Sequence, residues 1–514
     1  MFFARKLSTR TAWSILCRNM STTNVKNRLK HHNLFRETAI INGKDYSIPE
    51  TFAVYDPATK ALLGECPDLG VEAVDEAIAG ASTAFTSFRR TSPVERAALL
   101  RRWHEIVMDS IDDLATLITF ENGKPFAEAK GEIAYSASFL DWFSGEATRA
   151  YGDVLSPSVA HNRAITIKQP IGVCGIITPW NFPAAMITRK IAAAIAAGCT
   201  VVVKPDSETP YTALAMAKLA EMIGMPPGVI NVITTKTHLA EVGKKLCSDE
   251  RVKKVSFTGS TNIGKLLMEQ SSSTLKKLSF ELGGNAPFIV FPDANIEEAV
   301  AAAINCKFRG SGQTCVCANR IFVHEDIYDE FSTLLTEKVS KFSVGNGFLS
   351  ETTYGPLIHD RALAKVEGHV NDAVAKGGKI AVGGVRATEV GENFYMPTVI
   401  TNATQDMRIA TEETFGPVAA LFKFSTEAEV IGWANSVDVG LASYVLTTDI
   451  NRAFRVAEQL DFGMVGVNTG LISDCAVPFG GVKFSGFGRE GSKYGMDEYM
   501  TVKAITFGGI GARY

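Results

Sequence analysis

The sequence predicts an α/β protein built from two doubly wound units, and three observations lead there. From about Ala164 onward, short β-rich runs alternate with helical patterns, the succession that builds sheets of mainly parallel strands. A chain of 514 residues with 46% hydrophobic content can bury a large core and suggests two to four structural units. The alternation also restarts near Gly283 to Asn285, where one series ends and another begins.

In the first series, "AITIKQ" and "IGVCGIIT" read as strands and "AAMITRKIAAAIAAG" as a helix. The buried strand "TVVVKP", the helix "TPYTALAMAKLAEMIG", the strand "VINVIT" and a helix around "LAEVGKKL" follow. The strand "KKVSFTG", a helix from Thr261 and the strand "KKLSFEL" close the series. The second series holds the helix "IEEAVAAAINCKF", the strand "RIFVHE", two long helices between Ile327 and Gly377, and strands around "AALFKF" and "ASYVLTT".

A net charge of -3 supplies no basic surface for nucleic acid, so a small-molecule partner is expected. The longest apolar run, Ile191 to Val203, is broken by Gly198 and Thr200 and is shorter than the ~20 residues of a membrane helix. Nine cysteines, an odd number lying mostly apart, point to reduced thiols in an intracellular compartment. Asn402 to Thr404 is then a chance glycosylation match. Residues 1–30 carry Arg5, Lys6, Arg10, Arg18, Lys26, Arg28 and Lys30, and no acid precedes Glu37. With Phe2, Phe3, Leu7, Trp13, Ile15 and Leu16 on one side of a helix, this is the composition of a mitochondrial targeting segment. A start at Met20 would remove most of it and leave a cytoplasmic product.

Several loops hold residue types suited to chemistry. "GFGREG" (Gly486, Gly488, Gly491) fits a dinucleotide fingerprint, but no strand immediately precedes it and too little chain follows, so it reads as a loop. "SFTGSTNIGK" is a better phosphate cradle: a strand ends at Thr258, a helix begins, and Gly259 and Gly264 permit close approach; a plain tight turn is the alternative. Lys204 ends a buried strand, where open α/β sheets bind ligands, or is simply solvated. Asn181, between Trp180 and Phe182, can donate to a developing oxyanion or tie down a loop. Glu281 ends an apolar strand before two glycines, where desolvation would raise its pKa and suit a general base; a structural anchor is the other reading. In "GSGQTCVCANR", C-x-C is the wrong spacing for zinc and no second ligand pair lies nearby, so no metal is expected. Cys315 in that glycine-opened loop is either a nucleophile or a small packed hydrophobe.

Taken together and in order, "PWNFP", "VVVKP", "FTGSTNIGK", "FELGGNAP", "GQTC", "EETFGPV" and "PFGGVKFSGFGREG" resemble the aldehyde dehydrogenase superfamily across roughly residues 35 to 505. "MITRK", "KFRGSGQTCVCANR" and "NTGLIS" are most similar to its succinate-semialdehyde branch. The resemblance implies a Rossmann-like cofactor domain (31–147 and 172–283), an α/β catalytic domain (284–485) and a small β oligomerisation arm with the C-terminus (148–171 and 486–514). It implies a homotetramer, a dimer of dimers; the charge and hydropathy argue against nucleic-acid and membrane partners, and the basic leader points to the mitochondrial matrix.

By the same resemblance, Cys315 is the nucleophile, Glu281 the base that activates water, and Asn181 with the Cys315 N–H the oxyanion hole. The implied contacts to NADP or NAD are Ile177, Thr178, Trp180, Lys204, Ser207, Gly259, Ser260, Gly264, Leu282, Gly283, Glu413 and Phe415. Ser207 stands where NAD-preferring members often hold a glutamate, so NADP is expected to be accepted, although Asp206 and Glu208 flank it. Arg189 and Arg309, with Ser473, resemble the groups that hold the distal carboxylate of a semialdehyde; a structural ion pair is the alternative for either arginine. Charge-assisted bonds there are worth roughly 1.5 to 3 kcal/mol each. The implied reaction is oxidation of succinate semialdehyde to succinate, late in 4-aminobutyrate breakdown. Glutarate semialdehyde is a close rival, since one methylene changes binding by only ~1 to 3 kcal/mol. A structural protein on the same fold is the non-enzymatic rival, and the presence of Cys315, Glu281 and Asn181 together argues against it. Relatives with "TCVC" suggest a redox switch between Cys315 and Cys317; a packed Cys317 thiol is the other reading.

Overall fold

The computed structural model describes residues 22–510. Its first sheet has eight strands in the order Lys44–Tyr46, Ala39–Ile41, Ile230–Val232, Thr200–Lys204, Val173–Ile177, Val252–Thr258, Lys277–Glu281, Gly486–Phe487. The five from Ile230–Val232 to Lys277–Glu281 run parallel, and the edge pairings are antiparallel. The Thr200–Lys204 strand is buried along its whole length, as its run of valines dictates for a sheet covered on both faces. Thr261–Ser271 and Ala185–Ala197 are among the helices that cover it.

The second sheet has seven strands: Lys379–Val382, Thr398–Ala403, Val418–Phe424, Ala318–His324, Ala286–Val290, Ala442–Leu446 and Met464–Val467, parallel except for the first. The expected helices flank it, at Ile296–Phe308, Tyr328–Val339 and Asp360–Ala375. Only four residues separate the end of Lys277–Glu281 in the first sheet from Ala286 in the second. A third, antiparallel sheet joins Met500–Phe507, Arg163–Pro170 and Val154–Leu155.

Two expected boundaries need correction. Residues 1–21 of the expected targeting segment lie outside the described residues, but Thr22–Arg28 is a helix and Val25 and Leu29 are buried in the core. Residues Val25 and Leu29, placed in the expected targeting segment, are thus part of the folded core. Nor do residues 486–514 form one arm: Phe487 and Gly486 pair with Phe280 and Glu281, and Ser492–Asp497 packs on Ala185–Ala197. Only Met500–Phe507 from that segment enters the arm sheet.

Four helices precede Ala164 that the alternating pattern did not suggest: Val71–Phe88, Pro93–Asp109, Ile111–Asn122 and Phe126–Glu146. One had a readable start, because Ser92 and Glu95 form a reciprocal capping box ahead of Pro93. Among the described residues, no helix is long and apolar enough to cross a membrane.

Candidate active site

The loop before the Ala318–His324 strand is shaped by its glycines. Gly310, Ser311 and Gly312 all have positive φ, at 59°, 57° and 71°. A Cβ at Gly312 would lie 2.2 Å from the Gly416 carbonyl oxygen, so a side chain has no space there. Ser311 tolerates the left-handed geometry because it is tied at both ends: its hydroxyl donates to Gly355 O at 3.0 Å and its carbonyl accepts from Tyr354 at 3.0 Å. Gly284 lets the crossing chain pass, since a Cβ there would sit 2.5 Å from Cys315 O.

This loop presents Cys315 to a cavity of about 420 Å³ between the two sheets. Trp180, Asn181, Glu281, Leu282 and Gly283 line the same cavity. So do Gly259, Ser260, Glu413 and Phe415, so ten of the expected residues converge with Cys315 included. Burial pushes the Cys315 thiol up to about 12, against the opposing charge of Arg189, so at rest it is protonated and needs a base.

Glu281 can serve as that base. It is 3% exposed, and its Oε2 has no hydrogen-bond partner among the described residues. Burial and then the charge of Glu490 hold its carboxyl well above the carboxylate range, while Arg189 and Lys190 pull the other way. Glu490 is ion-paired with both of those cations, and Lys190 also donates to Thr258 Oγ1 at 2.6 Å.

Asn181 donates from Nδ2 to Gln313 O at 3.0 Å, which joins it to the nucleophile loop and leaves the second amide hydrogen uncommitted. Its backbone is anchored: Lys124 Nζ donates to Asn181 O at 2.6 Å, and Asn122 to Trp180 O at 3.0 Å. Lys124 also pairs with Glu132, whose other oxygen accepts from Ala184 N at 2.9 Å, and Glu128 accepts from Gly310 N at 2.6 Å. Residues 122–132 thus hold both halves of the site. Trp180 meets Phe415 edge to face, with centroids 5.6 Å apart. Glu413 accepts from Gly284 N at 3.0 Å, and burial pushes its carboxyl up to about 7.

The remaining expected cofactor residues extend from the cavity along the strand ends. Ile177 and Lys204 are register partners, and Thr178 N donates to Lys204 O at 3.1 Å. Lys204 is buried, its pKa is lowered by that burial, and no acid pairs with it among the described residues. Ser207 is half-buried in the turn that follows. Gly264 lies against Leu282: a Cβ there would come within 2.6 Å of Leu282 Cδ2.

A nicotinamide dinucleotide fits these residues. Thr178 Oγ1 is buried without a partner, Lys204 has no acid to pair with, and Ser260 begins an 11-residue helix without using its side chain as a cap. Free N–H groups at that helix start suit a pyrophosphate.

Arg189, Arg309 and Ser473 do not line the 420 Å³ cavity. Arg189 forms the ion pair with Glu490 and stacks on Phe479 at 4.0 Å, yet its Nη2 remains buried and unpartnered. Arg309 lies 5.4 Å from the Phe182 ring centroid and has no carboxylate partner within salt-bridge distance among the described residues. Cys317 is fully buried; its thiol donates to Lys307 O at 3.5 Å and no disulfide joins it to Cys315. A bond between them requires Cys317 to turn out of the core.

Sequence reasoning passed over Lys190 and Glu490, although both stand in quoted fragments. "GFGREG" is part strand and part loop, and what it contributes is the carboxylate of Glu490 rather than a phosphate grip. Lys124, Glu128 and Glu132 lie in a helical region that carried no reading, so their spacing passed unnoticed. Among the described residues, no group of three or more His, Cys, Asp or Glu side chains is arranged to hold a metal.

Two facing α/β sheets with a thiol, a buried carboxylate and a dinucleotide cradle between them define a nicotinamide-dependent oxidoreductase with a covalent step. The Aldehyde dehydrogenase family profile matches residues 44–505. The chain belongs to the aldehyde dehydrogenase family. It is similar to succinate-semialdehyde dehydrogenase [NADP(+)] 1 of Schizosaccharomyces pombe, 58% identical over 457 residues that cover 89% of this chain and 92% of that one. The mitochondrial succinate-semialdehyde dehydrogenase of Rattus norvegicus is 54% identical over 482 residues, 93% of this chain and 92% of its own. The crystal structure of succinate-semialdehyde dehydrogenase from Burkholderia pseudomallei superposes with a TM-score of 0.92 at 51% identity, covering 93% of this chain and 99% of that one.

Proposed function

We propose that the protein oxidises succinate semialdehyde to succinate with NADP or NAD, and that Cys315 carries the acyl group. The observation that bears most on this is the convergence of Cys315, Asn181 and a partnerless Glu281 on one cavity. Glu281 takes the Cys315 proton, and the thiolate adds to the aldehyde carbon. The oxyanion that forms is held by the free Asn181 amide hydrogen and the Cys315 N–H, donors fixed before the charge appears. Oxidation then needs an acceptor for a hydride, one proton with two electrons, which is the chemistry a bound NADP or NAD would supply. Lys204, Thr178 and the Ser260 helix start would hold that dinucleotide, with Glu413 and Phe415 lining the same cavity as Cys315. The acyl group left on Cys315 is a thioester; once Glu281 has passed the thiol's proton to solvent it takes one from water, the hydroxide adds to the thioester carbonyl, and the acid leaves as the Cys315 thiolate is released.

Ser207 leaves room for a 2′-phosphate next to Lys204, which supports use of NADP, the cofactor named for the fission-yeast relative. Arg189, Arg309 and Ser473 would hold the distal carboxylate. We assign the first sheet to the cofactor and the second to the nucleophile. The arm's edge strand Met500–Phe507, with Val502 67% exposed, and the 81% exposed Val154 support assembly through this sheet into a tetramer. The basic leader favours the mitochondrial matrix, and the rat relative is named mitochondrial; a start at Met20 would give a cytoplasmic product.

The test is kcat/KM for succinate semialdehyde and for a neutral aldehyde of similar length, each with NADP and NAD. A strong preference for the semialdehyde supports the assignment. Equal values for both aldehydes would keep the dehydrogenase and reject the substrate.

A further inference from the structure

One aromatic side chain beside the two arginines has no place in the reading so far. Tyr135 lies on the helix Phe126–Glu146, its ring packed against Phe182, Ala185 and Met186 and edge-on to Phe139 at 4.9 Å. Its hydroxyl is buried and has no hydrogen-bond partner among the described residues. A buried tyrosine hydroxyl ordinarily finds an acceptor, so this one lacks something.

The groups around it identify what is missing. Burial and, less strongly, the charge of Glu490 raise the Tyr135 pKa; the positive charges of Arg189 and Arg309 and the adjacent Ser473 hydroxyl oppose that rise. Arg189 Nη2 is a second buried donor without a partner, and Arg309 lacks a carboxylate. The two oxygens of Glu490 are taken by Arg189 and Lys190, so the Tyr135 hydroxyl, Arg189 Nη2 and Arg309 keep no acceptor of their own, which leaves the corner short of one further anion. A carboxylate offers about four acceptor positions, enough for two guanidinium groups, the serine and one further hydroxyl.

We propose that Tyr135 is a further substrate-binding residue, whose hydroxyl donates to the distal carboxylate of the semialdehyde alongside Arg189, Arg309 and Ser473. The assignment rests on the carboxylate-binding reading above. Its rigid ring sets the hydroxyl at a fixed depth, so Tyr135 selects for an anionic end group over a neutral one.

Tyr135→Phe and Arg309→Ala test the two readings together. Tyr135→Phe is expected to raise KM for succinate semialdehyde about tenfold, the effect of one hydrogen bond to a charged group, with KM for a neutral aldehyde moving by less than about twofold. The inhibition constant of succinate should rise in parallel, and the thermal midpoint should hold or increase because an unpaired buried hydroxyl is removed. If Arg309→Ala separates the two aldehydes and Tyr135→Phe does not, Tyr135 is overturned and the carboxylate site stands. If neither variant separates them, the carboxylate site itself fails and Tyr135 with it. A Tyr135→Phe protein that unfolds, or loses both aldehydes equally, shows a structural hydroxyl and overturns the proposal.

Discussion

The two large sheets face the cleft in opposite senses. In the first, the side chains that matter sit at carboxyl ends: Ile177, Lys204, Thr258 and Glu281 are each the last residue of a parallel strand. In the second they precede the strands, with Cys315 three residues before Ala318–His324 and Phe415 three before Val418–Phe424. On the proposed reading, one sheet supplies ligand grip and base by the usual geometry of open α/β folds, while the other supplies the nucleophile from loops that enter its strands. The lesson of that reading is a division of labour: the first sheet's residues would hold the cofactor and move protons, and the second sheet's loop would bond to carbon.

Breaking the second sheet's contribution should cost most. Cys315→Ala removes the covalent step, and kcat is expected to fall by roughly 10⁴-fold or more at an unchanged thermal midpoint. Glu281→Gln removes the base of the facing strand, and steady-state kcat should fall by roughly 10²- to 10⁴-fold. Asn181→Ala takes one donor from the oxyanion and should lower kcat by roughly 10²- to 10³-fold in stopped-flow assays of reduced cofactor. Ser207→Glu should reduce kcat/KM for NADP by on the order of tenfold while leaving NAD nearly unchanged, read by parallel titrations with both cofactors.

The smallest expected effect concerns pH. Glu281 must be ionised to accept a proton, so kcat should rise with pH through a pKa above the ordinary carboxylate value. Glu490→Gln removes the negative charge that helps push Glu281 up and releases Arg189 and Lys190 to pull it down. The acid limb of the kcat profile should therefore move to lower pH. An unmoved or upward-shifted limb would contradict the electrostatic link between Glu490 and Glu281.

The comparison also explains what was legible in the sequence. Parallel strands buried on both faces are runs such as "TVVVK", and a ligand site at their carboxyl ends follows from general topology, so Lys204, Thr258 to Ser260 and Glu281 could be picked out one by one. Cys315 could not be raised above a packed thiol by residues alone, because its role depends on a loop preceding a strand and on Gly284 admitting Cys315 O; only the ordered set of motifs distinguished it. Arg189 was read as a carboxylate holder or a structural ion pair; it is ion-paired with Glu490 and keeps an unpartnered Nη2. Lys124, Glu128 and Glu132 were invisible because their partners are backbone groups more than 50 residues away in sequence, at Asn181, Ala184 and Gly310. The leader boundary slipped for a local reason: Val25 and Leu29 look like leader residues by composition and are core residues by contact.

The most direct test of this division of labour uses Glu281→Gln mixed with succinate semialdehyde and NADP, quenched in acid and examined by mass spectrometry. The account predicts no burst of reduced cofactor and an unmodified peptide around Cys315, because the thiol keeps its proton when Glu281 cannot take it. A burst close to one per active site with a succinyl group on Cys315 would contradict it, because Glu281 would then act only on water, after the carbon chemistry.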